Sequence, residues 1–221
     1  MEIWDEDSQL FVIVKTLANL RRENQALTFG SHQQYYVGES IYAYTRKYRD
    51  FYAFVVVNKS HATSLRLANI GLPPGTYSCK LSGELIVVEP SGSAEIAMPA
   101  ESARLLSLVG KRVEGPVVGV FQLNGYEAQP GESIALTGDC PELGNWDPAY
   151  AYGLEYVNRN TWIGEVPFEF SAGRKIHYKF IVRAEHEGGI RQVRHVENIV
   201  NRRFVLPDTG RVKFDCIWGD D

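Results

Sequence analysis

The sequence predicts a mainly β chain in which one N-terminal helix precedes two domains of antiparallel strands. Apolar residues recur at helical spacing in residues 7–24. From residue 40 onward, short stretches rich in Val, Tyr, Phe and Ile alternate with Gly, Pro, Asn and Asp, as strands and turns do. A polar interval at 110–116 separates these stretches into two series. Each series predicts a β-sandwich or a small barrel.

The predicted helix carries an apolar stripe and charges that suit the helix dipole. Asp5 and Asp7 put negative charge at its start, while Arg21 and Arg22 put positive charge at its end. A single amphipathic helix ahead of an all-β chain needs a partner for its stripe, and we expect part of that partner to lie outside this sequence. The stripe consists of Leu10, Phe11, Val14, Leu17 and Leu20.

The first series contains the strand candidates that precede the polar interval. They fall at residues 40–46, 51–58, 64–70, 75–81, 85–89, 94–98 and 103–108. The interval itself has two glycines and a proline and little to bury, which is typical of a linker. We therefore predict a helix at 1–27, a first domain at 28–109, a linker at 110–116 and a second domain at 117–221.

The second series begins at Val117 and contains two segments of strict alternation, which predict strands with one buried face. In 175–183, the inward set is Ile176, Tyr178, Phe180 and Val182, and the outward set is Lys175, His177, Lys179 and Arg183. In 211–218, Val212, Phe214, Cys216 and Trp218 alternate with Arg211, Lys213 and Asp215.

Composition argues against several classes of partner. Hydrophobic residues make up 44% and charged residues 23% of the 221 residues, which is ordinary for folded domains. A net charge of −4 gives no reason to expect a nucleic acid or membrane partner, and no apolar run is long enough to cross a bilayer. The acidic N-terminus lacks the basic region of a signal peptide. Cys79, Cys140 and Cys216 are widely spaced and odd in number, so we expect buried thiols and a reducing, cytoplasmic compartment.

No segment matches a common catalytic or metal-binding motif. The sequence contains no nucleophile elbow, HExxH helix, P-loop or dinucleotide-binding glycine turn. No particular pair of carboxylates stands out as a glycosidase acid and base. Glu185, His186 and Glu187 precede two glycines, which indicates a solvated charged turn instead of a metal site. We expect no catalytic residue, metal or cofactor in this chain.

Trp146 lies between Asn145 and Asp147 in a stretch with the composition of a loop, so no strand face accounts for its ring. Two interpretations stay open. The ring can fold back as a lid on the end of a sandwich, or it can stack on the C–H face of a sugar. Covering about 100 Å² of such a face is worth roughly 2–3 kcal/mol before the entropy losses of binding.

Trp162 opens a predicted strand at 162–170 and shares its parity with Val166 and Phe168, which favours the core. Its place beside a polar loop keeps an exposed, sugar-stacking ring open. The residues that could complete such a stacking pair are Tyr150, Tyr152 and Tyr156. Lys179 lies on the polar face of its strand, where it either hydrogen-bonds a sugar hydroxyl or remains an ordinary solvated lysine. Trp4 and Trp218 are assigned to packing.

Four segments occur in the order found in one carbohydrate-binding family. They are GESIALTG at 131–138, PELGNWD at 141–147, SAGRKIHYKFI at 171–181 and NRRFVLP at 201–207. The region that they span, about 117–218, resembles the family-20 carbohydrate-binding module, the starch-binding domain of amylases, glucoamylases and cyclodextrin glycosyltransferases. The resemblance implies an immunoglobulin-like antiparallel sandwich with two glucan sites.

The resemblance also implies which residues form the first site. Trp146 and Lys179 match its tryptophan and lysine, and Glu197 and Asn201 match its glutamate and asparagine. Val196 stands where the family usually has a second tryptophan. A site with one ring should bind more weakly unless His195 or another aromatic residue substitutes.

The second site of the family usually has a tyrosine ahead of a tryptophan that opens a strand. Tyr156 and Trp162 match these two positions, while Pro130 stands where the family has a further tyrosine. We expect Tyr156 and Trp162 to form the better of the two sites.

The first half of the chain resembles the end of a different protein family. LFVIVKTLANLRRENQAL at 10–27 resembles the last barrel helix of the α-amylase family of glycoside hydrolases. IYAYTR at 41–46, FVVVNKS at 54–60 and PGTYSCKLSGE at 74–84 resemble the β-sandwich that follows that barrel. The resemblance implies the C-terminal part of an amylase-type enzyme without the barrel that holds the catalytic Asp, Glu and Asp.

Together the resemblances imply a non-catalytic chain that binds starch, glycogen, maltooligosaccharides or cyclodextrins. Two alternatives remain open. The chain can be an accessory subunit whose helix docks a separate amylase catalytic barrel. It can also be a hydrolase, on its own or only together with that barrel.

Overall fold

The computed structural model describes residues 8–169, 172–185 and 191–219. Trp4, the acidic start of the predicted helix, and His186 and Glu187 of the predicted charged turn lie outside these ranges. The chain divides between Lys111 and Arg112 into two compact units. The predicted fold class, mainly β with an N-terminal helix, is confirmed. In the described ranges, no helix is both long enough and apolar enough to span a membrane.

The first unit begins with helix α1, Gln9–Glu23, and a short helix α2, Ala26–Phe29. Ser8 caps α1, because its hydroxyl accepts a hydrogen bond of 3.2 Å from the backbone N–H of Phe11. Much of the predicted stripe is exposed, with Leu10 at 73%, Val14 at 56% and Leu17 at 44% of their surface. Within the described part of its own unit, α1 therefore leaves an apolar face uncovered.

Two antiparallel sheets form the first sandwich. Its strands are β1 Ser31–Val37, β2 Ile41–Tyr48, β3 Phe51–Asn58, β4 Thr63–Leu67, β5 Gly75–Ser78, β6 Leu85–Val88, β7 Ala94–Met98 and β8 Ser102–Leu108. One sheet has the order β1-β2-β3-β8 and the other β4-β7-β6-β5. Phe54, Val56 and Leu106 from the first sheet meet Ile86, Ile96 and Met98 from the second in one buried cluster. Strand β1, which the sequence did not predict, is a largely polar edge strand.

The second unit is also a sandwich. Its strands are β9 Val117–Asn124, β10 Glu132–Gly138, β11 Tyr152–Gly153, β12 Glu155–Asn158, β13 Thr161–Phe168, β14 Lys175–Glu185, β15 Arg191–Val196, β16 Arg202–Val205 and β17 Gly210–Ile217. One sheet has the order β12-β13-β9-β17, and the other has the order β11-β10-β14-β15, with β16 also paired to β14. A 3-10 turn, Pro141–Trp146, follows β10.

One strand pair of the second unit departs from the predicted antiparallel arrangement. The first strand, β9, and the last, β17, run parallel, with Val117 opposite Gly210 and Asn124 opposite Ile217. Parallel neighbours need a long connection, and here almost the whole domain lies between the two strands. Local sequence patterns carry no information on such a distant pairing.

The alternation predicted for β14 is confirmed on its inner face. Its four inward residues, Ile176, Tyr178, Phe180 and Val182, are at most 4% exposed. The prediction that Arg183 faces solvent is wrong, because this residue is only 2% exposed. The segment 147–151 covers the outer face of the strand at this point, and the Arg183 guanidinium donates to two of its carbonyls.

All three cysteines are buried and unpaired, as predicted. Burial and the neighbouring Glu142 carboxylate raise the pKa of Cys140 to about 12. Burial also raises the pKa of Tyr178 and of Cys216, whose hydroxyl oxygen and sulfur lie 3.7 Å apart in the core of the second unit.

Candidate functional site

Trp146 ends a turn whose backbone is left-handed at three consecutive residues. Gly144, Asn145 and Trp146 have φ angles of 79°, 50° and 67°. Glycine is required at the first position, since a Cβ on Gly144 would lie 2.7 Å from the carbonyl carbon of Tyr150. Asparagine tolerates this conformation, but a bulky residue such as tryptophan adopts it at a cost of roughly 1–3 kcal/mol.

Backbone hydrogen bonds hold the turn in this shape. The N–H of Asn145 donates to the carbonyl oxygen of Cys140 at 3.0 Å, and the N–H of Asp147 donates to that of Gly144 at 2.8 Å. Trp146 as a residue is 39% exposed. It is therefore a half-open ring on a tightly bonded turn and not a fully covered lid.

Arg183 fixes the segment that continues from this turn. Its Nη1 donates to the carbonyl oxygens of Pro148 and Ala151, at 3.3 and 3.1 Å. Ala135, Ala151 and Ile181 pack together beneath the same segment. Sequence reasoning missed this role, because the period of β14 placed Arg183 among the solvated residues. The sequence of a strand does not predict that a loop from elsewhere in the chain will cover a charged residue on its outer face.

Lys179 and Glu197, both matched to the first glucan site by the resemblance, lie in contact. Lys179 Nζ donates to the backbone carbonyl oxygen of Glu197 over 3.3 Å. Lys179 pairs with Thr137 across the sheet, and the next pair is Tyr178 with Gly138, where β10 ends shortly before the turn that carries Trp146. The half-buried ammonium therefore lies on the outer face of the sheet near the start of that turn.

The Glu197 side chain points into the protein. Its carboxylate is 0% exposed and accepts from Arg202 Nη2 at 2.6 Å, from the N–H of Phe180 at 2.9 Å and from the N–H of Gly219 at 3.3 Å. Such a buried and bonded carboxylate has no open face for a sugar. The resemblance implies a place for Glu197 in the first glucan site. The structure corrects a direct sugar contact through this carboxylate, which instead holds the chain around Lys179.

Val196 presents an aliphatic surface where the family has a ring. It is 49% exposed and pairs with Ile181, two residues from Lys179 along the same face of β14. Asn201 is exposed on the segment that joins β15 to β16. His195 cannot replace the missing ring, because adjacent residues of a strand face opposite ways. Its ring lies 6.3 Å from that of Tyr126.

Tyr156 and Trp162 form a second aromatic group on the other sheet. Their ring centroids are 5.4 Å apart with an interplanar angle of 78°, an edge-to-face contact. Tyr156 is 50% exposed, whereas Trp162 is 6% exposed and belongs to the core cluster. The parity of the strand placed Trp162 correctly. Its burial corrects the expectation of an open tryptophan face, and leaves Tyr156 as the exposed ring of the pair.

The other two tyrosines considered as stacking partners lie elsewhere. The Tyr152 hydroxyl donates to the carbonyl oxygen of Glu165 at 2.6 Å, and its ring packs against the core. Tyr150 is 75% exposed in the segment after Trp146. Pro130 is exposed in the loop between β9 and β10, and an ion pair of 2.7 Å between Glu127 and Arg159 ties that loop to the turn after Tyr156.

Two family models match the chain. The starch binding domain matches residues 117–215, and the alpha amylase, C-terminal all-beta domain matches residues 35–109. The first match contains every candidate site residue of the second unit. Both resemblances stated from the sequence are confirmed.

Similar proteins are amylases and related transferases. A cyclomaltodextrin glucanotransferase from Klebsiella oxytoca is 25% identical over 185 residues, which are 82% of this chain and 28% of that protein. An alpha-amylase from Niallia circulans is 33% identical over 99 residues, which are 42% of this chain and 19% of that protein. The chain thus spans less than a third of the length of either relative.

Among solved structures, the family 20 module of a maltotetraose-forming amylase from Pseudomonas saccharophila is 23% identical, with a TM-score of 0.37. That match covers 44% of this chain and 98% of the module. On the evidence of the two family models, this chain carries an alpha amylase C-terminal all-beta domain followed by a starch binding domain.

Proposed function

We propose that this chain binds α-glucans through two groups of side chains on its second unit, and that it does not hydrolyse them. The ligands are starch, glycogen, maltooligosaccharides and cyclodextrins. The observation that carries the proposal is Trp146, a half-exposed tryptophan held at a positive φ inside the segment that matches the starch binding domain. A strained backbone that presents an apolar ring is a common sign of a functional site.

In the first group, Trp146 stacks on one face of a glucose residue. The Lys179 ammonium has three donors, of which one is directed to the Glu197 carbonyl, so others remain for sugar hydroxyls. The exposed amide of Asn201 both donates and accepts. Val196 offers an apolar surface without an aromatic face, so this group binds with one ring.

In the second group, Tyr156 supplies the exposed ring and Trp162 supports it from the core. The edge of one ring against the face of the other fixes the orientation of Tyr156 without covering all of it. Two weak groups on one domain gain avidity on a granule surface, by roughly 10²–10⁴ when both engage.

The proposed lack of turnover is supported by the nature of the two matching domains. One is a binding domain and the other is a C-terminal domain, and each relative contains much more chain than is present here. We propose that the whole protein of which this chain forms part is an amylase-type glycoside hydrolase. A reducing-end assay on soluble starch tests the non-catalytic role of this chain. Sustained release of reducing ends by the pure chain would refute that role.

The binding proposal is tested by calorimetric titration with β-cyclodextrin and by adsorption to granular starch. Trp146→Ala and Tyr156→Ala should each weaken binding about tenfold or more, and the double variant should abolish adsorption. Tyr36→Ala is the matched control, because Tyr36 in the first unit is 40% exposed, close to the 39% of Trp146. No binding by the wild-type chain at millimolar ligand would refute the proposed function.

A second candidate function rests on α1. The side of α1 that carries Ile13, Leu17 and Leu20 lines an apolar groove of about 740 Å³, together with Val55 and Leu105 of the sheet. A helix of a catalytic barrel is the kind of apolar element that would fill it. Co-purification with a separately expressed amylase barrel, lost in Leu17→Asp, would favour an accessory subunit. No association at micromolar concentration would exclude that role.

A further inference from the structure

The turn that carries Trp146 holds a strained backbone, and such a backbone persists only where the structure around it over-determines its shape. Arg183 secures the chain on the exit side of the turn, through the carbonyl oxygens of Pro148 and Ala151. The chain enters the turn from Gly138, the last residue of β10. An anchor for the entry side therefore has to lie just after this residue.

Asp139, the first residue after β10, has a partner for each of its polar groups. Its carboxylate accepts from the backbone N–H of His177 at Oδ1, over 2.9 Å, and pairs with Nδ1 of the His177 ring at Oδ2, over 2.8 Å. Its backbone N–H donates to the carbonyl oxygen of His177 at 3.0 Å. Its own carbonyl oxygen accepts from Arg174 Nη2 at 3.1 Å. These bonds fasten Asp139 to β14 and to the residue that precedes this strand.

The contact between Asp139 and His177 uses both oxygens of one carboxylate and both the backbone and the ring of one histidine. A carboxylate only accepts hydrogen bonds, so Nδ1 of the ring carries the hydrogen. Both side chains are half-buried, with 39% of His177 and 32% of Asp139 exposed. The backbones approach closely here, since a Cβ on Gly138 would lie 2.6 Å from the His177 carbonyl oxygen. The pair therefore fixes the direction in which the chain leaves β10.

The next residue, Cys140, connects this anchor to the turn. Its carbonyl oxygen accepts from the N–H groups of Leu143 and Asn145, each at 3.0 Å, and these bonds close the turn. The side chains of Cys140 and Leu143 lie in the core of the second unit. A displacement of Asp139 would move the Cys140 carbonyl, on which the left-handed residues up to Trp146 depend for their shape.

We infer that Asp139 and His177 are positioning residues for the group of side chains around Trp146. Their paired hydrogen bonds hold the entry of the turn so that the tryptophan ring stays open to a glucan chain. Both residues act through Trp146 without touching the sugar. The inference rests on the proposed function, because the position of this ring affects binding only where the ring itself binds glucan. The outward alternation of β14 predicts a solvated His177, so periodicity does not indicate this role.

The test is calorimetric titration with β-cyclodextrin in a Tyr156→Ala background, in which the group around Trp146 is the one that reports. His177→Ala and Asp139→Ala should each weaken binding about tenfold, as expected when the binding-competent shape of the turn falls to about one tenth of the population. Lys175→Ala is the matched control, since Lys175 is an exposed outward residue of the same strand, and it should leave the affinity unchanged.

Replacement of His177 by two amides separates positioning from a general loss of stability. In His177→Asn, the amide N–H groups lie at about the distance of Nδ1 from the backbone and can donate to Asp139, so most of the affinity should return. In His177→Gln, the amide lies farther out, and the affinity should stay as low as in the alanine variant. This comparison also decides the matter where the alanine variants do not fold. Equal affinities of the two amide variants would overturn the inference.

A spectroscopic readout follows the ring directly. Fluorine NMR of the chain labelled with fluorotryptophan resolves the tryptophans, and Trp146→Phe assigns the signal of Trp146. In His177→Ala this signal should shift or split, while those of Trp162 and Trp218 keep their wild-type positions. An unchanged Trp146 signal and an unchanged affinity would overturn the inference and leave the proposed function intact. No binding by the Tyr156→Ala chain itself would instead refute glucan binding at Trp146, and the inference with it.

Discussion

Arg183 of β14 donates from Nη1 to the carbonyl oxygen of Ala151 over 3.1 Å, although only 2% of its surface reaches solvent. The same nitrogen also donates to the carbonyl oxygen of Pro148. The segment 147–151 follows directly on Trp146. A buried cation thus fastens to the sheet the stretch of chain that leads away from the exposed tryptophan.

We predict that Arg183→Met weakens binding at Trp146 about tenfold and lowers the free energy of unfolding by about 1–3 kcal/mol. Both effects arise because two carbonyls lose a charged donor in a buried place. The readouts are calorimetry with β-cyclodextrin in a Tyr156→Ala background and urea denaturation. Arg183→Lys should restore part of the affinity. Unchanged affinity in a folded Arg183→Met chain would show that Trp146 does not depend on this fastening.

Val196→Trp should strengthen binding. Val196 is 49% exposed on the face of the sheet that carries Lys179, and a ring there adds a second stacking surface. Covering about 100 Å² more apolar sugar surface is worth enough to improve affinity about tenfold after losses. Calorimetry with β-cyclodextrin measures the gain. Ile217→Trp, at a 73% exposed position of β17, is the control for a general effect of added indole and should not change affinity.

Glu197→Ala should destabilise the second unit by about 3 kcal/mol. Removing the carboxylate leaves the Arg202 guanidinium and two backbone N–H groups without their partner in a buried place. Asp215→Ala is the comparison, because the Lys213–Asp215 pair is exposed at 50% and 62% and should contribute less than about 1 kcal/mol. Urea denaturation monitored by tryptophan fluorescence measures both. Equal losses would contradict a special role for Glu197.

Alkaline pH should destabilise the second unit. The pKa of Cys140 is raised from 9.0 to about 12, and the pKa values of Tyr178 and Cys216 are raised as well. The folded chain holds protons that the unfolded chain releases, so this contribution is fully present below pH 9 and is lost as pH rises towards 12. Each such group costs up to about 1.4 kcal/mol per pH unit in that window.

The check is the free energy of unfolding from pH 8 to pH 11 for the wild-type chain and for Cys140→Ala. The wild-type chain should lose stability more steeply above pH 9, because the variant lacks one of the groups that release a proton on unfolding. Parallel curves for the two proteins would mean that Cys140 keeps an ordinary pKa in the folded state.

Regular periodicity predicted most elements of the fold. Apolar residues at helical or alternating spacing predict helix α1 and strands such as β3 and β14. Strand β1 was not predicted, since an edge strand need not be apolar and its residues 31–34 are polar. The pairing of β9 with β17 was out of reach, because it joins residues about ninety positions apart.

The placement of the candidate site residues was likewise predictable only in part. Alternation along the strand put Trp162 in the core, but the family match suggested an open ring, and only the structure shows the burial. The resemblance matched Glu197 to the first glucan site and parity placed Arg183 on the outward face, yet the structure buries both. In each case a distant segment decided the outcome: 197–202 folds back on Phe180, and 147–151 covers Arg183. Local spacing cannot anticipate such coverage.

The parallel pairing of β9 and β17 has a mechanical consequence. Because the two strands run the same way, the chain enters the domain at one end of the pair, near Val117, and leaves at the other, near Ile217. A force applied to the two ends of the domain pulls the two strands along their length. All hydrogen bonds of the pair then bear the load together instead of opening one after another. The parallel pairing therefore lets the domain resist being stretched from its two ends.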